Sequence, residues 1–121
     1  MLFRSCAQFA LPYVKALRVR AGVDLVKSAD AYRSARGLLM DAYVDGTHGG
    51  TGSLFDWSLI PSRLPLPLIL SGGLHAGNVR EAVRRVSPWA VDVSSGVEAA
   101  PGIKDAAKIA AFIQEVRSAD G

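Results

Sequence analysis

The chain has a single cysteine, Cys6, among 121 residues. A lone cysteine excludes an internal disulfide framework and fits a reducing, cytoplasmic setting. Histidine is scarce too, with only His48 and His75 present. Neither has cysteine or histidine neighbours at zinc-ligand spacing, so both read as loop residues and no metal is expected. No apolar run reaches the roughly 18 residues of a membrane span, so no membrane association is expected. Charged residues make up only 21% of the chain, with a formal net charge of +3. The basic residues stand singly or in pairs without interleaved aromatics, which suits a small anionic ligand and not nucleic acid. Acids are absent from the first 23 residues, where Arg4, Lys15, Arg18 and Arg20 stand. That is one trait of a transit peptide. The segment from Pro12 to Val19 reads instead as a strand, which a discarded peptide would not need.

What is present describes one globular domain over residues 1–121, with residues 1–11 as an irregular N-terminal segment. Half of the chain is hydrophobic, enough for a real core. Four short runs rich in leucine or β-branched residues recur: "PYVKALRV" (12–19), "GLLMDA" (37–42), "LPLILSGG" (66–73) and "PWAVDVSSG" (88–96). Their lengths suit strands buried on both faces, as in a parallel sheet. Helical patterns separate them. "GVDLVKSADAYRSAR" is a modest candidate, and "FDWSLIPSRL" a short one ended near Pro61. "AGNVREAVRRV" places Val79, Val83 and Val86 on one stripe. "KDAAKIAAFIQEVRS" is the strongest, with Ile109, Phe112, Ile113 and Val116 on one face. The resulting βαβαβαβα order predicts an α/β architecture with right-handed crossovers. A closed eight-unit barrel needs about 200–250 residues at this spacing. The chain is therefore either a small open α/β sheet or half of a barrel.

The functional signal lies in the loops after the strands. "HGGTG" follows the second, "SGGLHAGN" the third, and "SSGVEAAPG" the fourth. Strand C-terminal ends are where α/β proteins place ligands. Small residues there let backbone N–H groups approach an anion, and two of the loops lead into helix N-termini. Each loop alone reads as ordinary turns and caps; three on one rim read as a phosphate site. No Walker A ending or dinucleotide fingerprint is present. Asp41 ends "LLMD" and Asp92 lies within "AVDVSS". An acid in an apolar strand is costly unless paired or functional. Each is either a general acid or base over the pocket, or a structural acid bonded to loop amides. Asp56, after the glycine loop, reads as an N-cap or surface acid. Cys6 lacks a glycine-rich strand-end context and reads as an incidental or buried thiol.

"LLMDAYVDGTHGGTGSLFDWSLI", "PLILSGGLHAGNV" and "VDVSSGVEAAPGIKDAAKIAAFI" together resemble the phosphoribosylanthranilate isomerase family of tryptophan biosynthesis. The resemblance runs from about Pro12 to Val116. It implies a (β/α)₈ TIM barrel, with these four βα units matching strands five to eight. It implies a cofactor-free Amadori rearrangement of N-(5-phosphoribosyl)anthranilate to its deoxyribulose isomer. By that likeness Asp41 matches the general acid, and Asp92 the acid contacting the substrate's amino group. The phosphate cradle maps onto Gly50, Thr51, Gly52, Gly72, Gly73, Ser94, Ser95 and Gly96. Phe55 and Trp57 would anchor the segment after the glycine loop by packing. Three family strands have no counterpart here: "K-I-C-G" with the cysteine base, the strand bearing the carboxylate-gripping arginine, and "Q-L-H-G". Cys6 does not replace that base, since "RSCAQF" precedes the first strand and lacks the motif. Such a half barrel should be inactive alone, with open sheet edges and an exposed inner face. Its expected partners are a phosphorylated small molecule and either the N-terminal half barrel or a second copy. Two alternatives stand beside it: a non-catalytic phosphate-binding half barrel, or another phosphosugar-processing barrel enzyme.

Overall fold

The computed structural model describes residues 11–19, 24–42 and 57–120. Four strands form one parallel sheet in the order β1-β2-β3-β4: Val14–Arg18, Gly37–Asp41, Leu68–Ser71 and Ala90–Val91. Each lies inside one of the four apolar runs. The order never reverses, so each crossover adds its strand on the same side of the last. Helix α1 (Leu25–Ala31) lies between β1 and β2, α2 (Val79–Val86) lies between β3 and β4, and α3 (Ala106–Asp120) follows the last strands.

The helix ends follow from local chemistry. Asp24 caps α1 by accepting from the Lys27 amide at 3.0 Å, and Asp105 accepts from the Lys108 amide at 3.0 Å before α3. Ser87 takes a left-handed conformation after α2, and its amide donates to the Val83 carbonyl at 2.8 Å. The segment expected to form a short helix at "FDWSLIPSRL" is described only from Trp57, and there it makes a single 3₁₀ turn, Trp57–Leu59. Pro61 removes the amide that a further turn would use. α1 likewise occupies only the middle of its expected span.

The strands are not buried on both faces. Leu38, Met40, Leu68 and Leu70 are buried beneath the helices. They share one core with Leu25, Ala29, Val79, Ala82 and Phe112, and with Trp57, Leu74 and Val97. The alternate residues Leu39, Asp41, Ile69 and Ser71 are only half-buried. On β1 the residues in register with that row, Val14, Ala16 and Arg18, are exposed. The physical reason is topology: crossovers of one hand, added in one direction, put every helix on the same side of the sheet. The opposite face has no cover within the described residues.

α3 shows the same division. Phe112 is buried and Val116 packs on the core, but Ile109 and Ile113 are 37% and 45% exposed. The expected four-residue stripe is thus split between α2, which takes one half, and solvent. Arg80 on α2 ties to Glu115 on α3 at 2.9 Å, on the rim of their contact.

A feature not anticipated from sequence follows the fourth strand. Glu98–Ala100 (β5) and Ile103–Lys104 (β6) form a small antiparallel hairpin turned at Pro101 and Gly102.

Burial sets a contrast that denaturation can read. Leu70→Ala should cost about 2–5 kcal/mol in urea unfolding, because it opens a cavity under the sheet. Ile113→Ala should cost under about 1 kcal/mol in the isolated chain, because its side chain is already half in water.

Candidate functional site

The parallel register aligns the strand ends into one polar row. Arg18 pairs with Asp41, and Asp41 pairs with Ser71. The Asp92 amide donates to the Leu70 carbonyl at 2.8 Å, which sets Asp92 beside Ser71. The Ser71 hydroxyl then donates to Asp92 Oδ2 at 3.0 Å. Below this row the same face is apolar, with Leu39 and Ile69. The acids therefore stand at the carboxyl end of the sheet.

Asp41, Ser71, Gly72, Gly73, Leu74, Asp92, Val93, Ser94, Ser95 and Gly96 line one groove of about 270 Å³. Seven of the expected site residues meet there: Asp41, Gly72, Gly73, Asp92, Ser94, Ser95 and Gly96. Gly50, Thr51 and Gly52 lie outside the described residues, as do Cys6, His48, Phe55 and Asp56. Trp57 is buried in the core, with the Arg85 guanidinium 6.0 Å from its ring. His75 is exposed beyond the groove, and its Nδ1 accepts from the Gly77 amide at 3.0 Å.

Glycine is required at two places. Gly72 and Gly73 follow β3 with φ of 96° and 68°, the left-handed region where a side chain is strained. Their conformation turns the chain across the groove floor. Gly96 is required for space: a Cβ there would lie 1.9 Å from the Leu74 carbonyl oxygen. The two loops thus touch backbone to backbone. Asn78 latches the first of them. Its amide nitrogen donates to the Gly73 carbonyl at 3.1 Å, and its Oδ1 accepts from the His75 amide at 2.9 Å.

Ser71 and Asn78 were not singled out in the sequence. Ser71 ends an apolar strand in register with Asp41, but a hydroxyl there carries little of the desolvation cost that marks a carboxylate. Among the described residues, no lysine or arginine lines the groove. An anion there would meet main-chain amides and serine hydroxyls, beside two carboxylates at the other end. No group of three or more His, Cys, Asp or Glu among the described residues could hold a metal ion. No helix among them is long and apolar enough to cross a membrane.

This arrangement defines an α/β protein of repeated βα units with a glycine-lined groove at its strand ends. The chain belongs to the N-(5'phosphoribosyl)anthranilate (PRA) isomerase family, whose model matches residues 2–115. It is 67% identical over 111 residues to the N-(5'-phosphoribosyl)anthranilate isomerase of Nitrosospira multiformis, covering 92% of this chain and 53% of that protein. Among solved structures, the phosphoribosyl anthranilate isomerase of Thermotoga maritima superposes with a TM-score of 0.77 at 43% identity, over 97% of this chain and 56% of that one. A phosphoribosyl anthranilate isomerase in complex with reduced 1-(o-carboxyphenylamino)-1-deoxyribulose 5-phosphate matches at TM-score 0.73 and 40% identity, over 97% and 54% of the two chains. The chain spans about half the length of the relatives it matches.

The loop contact gives a direct test. Gly96→Ala should lower the melting temperature by several degrees, because the added methyl must push the two groove loops apart. Ser95→Ala, one residue away, should leave it nearly unchanged.

Proposed function

We propose that this chain is the C-terminal part of a phosphoribosylanthranilate isomerase, contributing the last four βα units of a (β/α)₈ barrel. The observation that carries the reading is the meeting of Asp41, Asp92 and the loops after β3 and β4 in one groove at the strand ends. The unreversed strand order and the helices on one face support an arc of a barrel. A doubly wound sheet would reverse its order and cover both faces.

In this reading the groove amides of Gly72, Gly73, Ser94, Ser95 and Gly96 hold the substrate phosphate, with Gly50, Thr51 and Gly52 completing the cradle. Asp41 acts as general acid. It protonates the ribose ring oxygen, and the C–O bond opens to a Schiff base. A base then removes the C2′ proton, and the resulting enolamine tautomerises to the ketone. Asp92 contacts the substrate's amino nitrogen, held in place by the Ser71 hydroxyl. The base and the carboxylate-binding arginine come from the part of the barrel this chain does not include. Its partner is accordingly the N-terminal half, seated on the uncovered sheet face and edges. The reaction needs no cofactor, and the setting is cytoplasmic.

Mixing the chain with the N-terminal half of the Nitrosospira multiformis enzyme should restore turnover, followed as loss of substrate fluorescence. Either part alone should be silent. Asp41→Asn in the mixture should lower kcat by about 10²–10⁴-fold. Full activity in that variant would remove Asp41 as the acid. Inactivity of the wild-type mixture, with phosphate still bound, would favour a non-catalytic phosphate-binding role.

The uncovered face makes a second prediction. Without its partner the chain should self-associate at micromolar concentration in sedimentation velocity, and adding the N-terminal half should dissolve those species into a one-to-one complex. A stable monomer that ignores the N-terminal half would contradict the reading.

A further inference from the structure

The groove poses an electrostatic problem, since an anion there meets no cationic side chain among the described residues. The hairpin behind it holds one. Lys104 Nζ donates to the Ser94 carbonyl at 2.9 Å and pairs with Glu98 Oε2 at 3.1 Å. Glu98 Oε2 also accepts from the Gly102 amide at 3.2 Å, which closes the hairpin turn around the lysine's counter-ion. Lys108 Nζ donates to the Glu98 carbonyl at 2.8 Å, and the Asp105 amide donates to the Val97 carbonyl at 2.8 Å. The segment from Ser94 to Glu98 is therefore braced from outside along its length.

The Ser94 carbonyl and the Ser95 amide belong to one peptide unit. In a trans peptide the C=O and N–H point in opposite directions. Lys104, which is not among the residues lining the groove, holds the oxygen, and Ser95 lines the groove. A cation on the carbonyl polarises the whole unit and makes its N–H a stronger donor. We propose that Lys104 is a positioning residue for anion binding: through the Ser94–Ser95 peptide it fixes and polarises an amide of the phosphate cradle without entering the groove. The inference rests on the phosphate reading of the groove.

The test measures inorganic phosphate binding to the full chain by calorimetry, with melting temperature recorded in phosphate-free buffer. Lys104→Gln keeps a polar group near Ser94 but removes the charge, while Lys104→Arg keeps the charge. Lys27→Met, on α1, removes one positive charge away from the groove. We expect Lys104→Gln to weaken phosphate binding roughly fivefold or more, in line with the loss of one charge-assisted hydrogen bond. Lys104→Arg should bind within about twofold of wild type, and Lys27→Met should not change affinity beyond that margin. An unchanged phosphate-free melting temperature in Lys104→Gln separates this effect from a fold defect; should that variant melt early, Lys104→Arg against Lys104→Met at a temperature below both transitions gives the same comparison. Wild-type binding with no difference between Lys104→Gln and Lys27→Met would overturn the role of Lys104 and leave the cradle standing. No binding by the wild-type chain would overturn the cradle itself.

Discussion

The structure depends on one topological constraint: parallel strands added always on the same side can be covered by their own helices on one face only. From this follow the buried row Leu38, Met40, Leu68 and Leu70, and the half-buried row Leu39 and Ile69 opposite. Among the described residues the same constraint leaves β1 and β4 each with one neighbouring strand, so each has an open outer edge. A closed barrel resolves all three exposures together, because closure pairs the edges and turns the open face into an interior. The half-exposed Ile109 and Ile113 on α3 belong to the same account. In the proposed barrel a neighbouring unit would cover the face they leave exposed.

The register that builds the sheet also builds the site. Parallel pairing aligns equivalent positions of successive strands, so one polar residue at each strand end becomes a row across the sheet. Arg18, Asp41, Ser71 and Asp92 form that row above an apolar floor. The loops then hold its geometry from outside the strands. Gly72 and Gly73 turn across the groove, Gly96 presses against Leu74, and Asn78 latches the turn. A slip of one residue in any strand would exchange a member of the polar row for an apolar neighbour such as Met40 or Leu70, so core packing and site geometry are enforced by the same contacts.

Much of this was legible in the residues. The four strands announce themselves because leucine and β-branched residues in short runs have few other uses between helical patterns. Asp41 and Asp92 stand out because a carboxylate ending an apolar strand demands a reason. Ser71 does not stand out, since a hydroxyl at a strand end costs little and invites no question. The hairpin at Glu98 to Lys104 was illegible for another reason. "VEAAPGIK" has no alternation, and its formation depends on the Glu98–Lys104 pair and the Gly102 turn acting together. Periodicity marked Ile109, Phe112, Ile113 and Val116 as one face. It shows that a face is apolar, but not whether the chain itself supplies the cover.

The division of charge in the groove has its own logic. Two carboxylates and the proposed anion site share a groove of about 270 Å³. A lysine placed inside would pair with Asp41 or Asp92, and would hold those acids away from substrate as readily as it held a phosphate. Main-chain amides avoid that competition, because they attract an anion by direction and not by net charge. They are weaker donors individually, so they gain from being fixed and polarised. Lys104 is neutralised by Glu98 on one side and bonded to the Ser94 carbonyl on the other, so it can act on the cradle without becoming a partner for the acids. The hairpin that carries both residues then has a function in the site although none of its side chains reaches the groove.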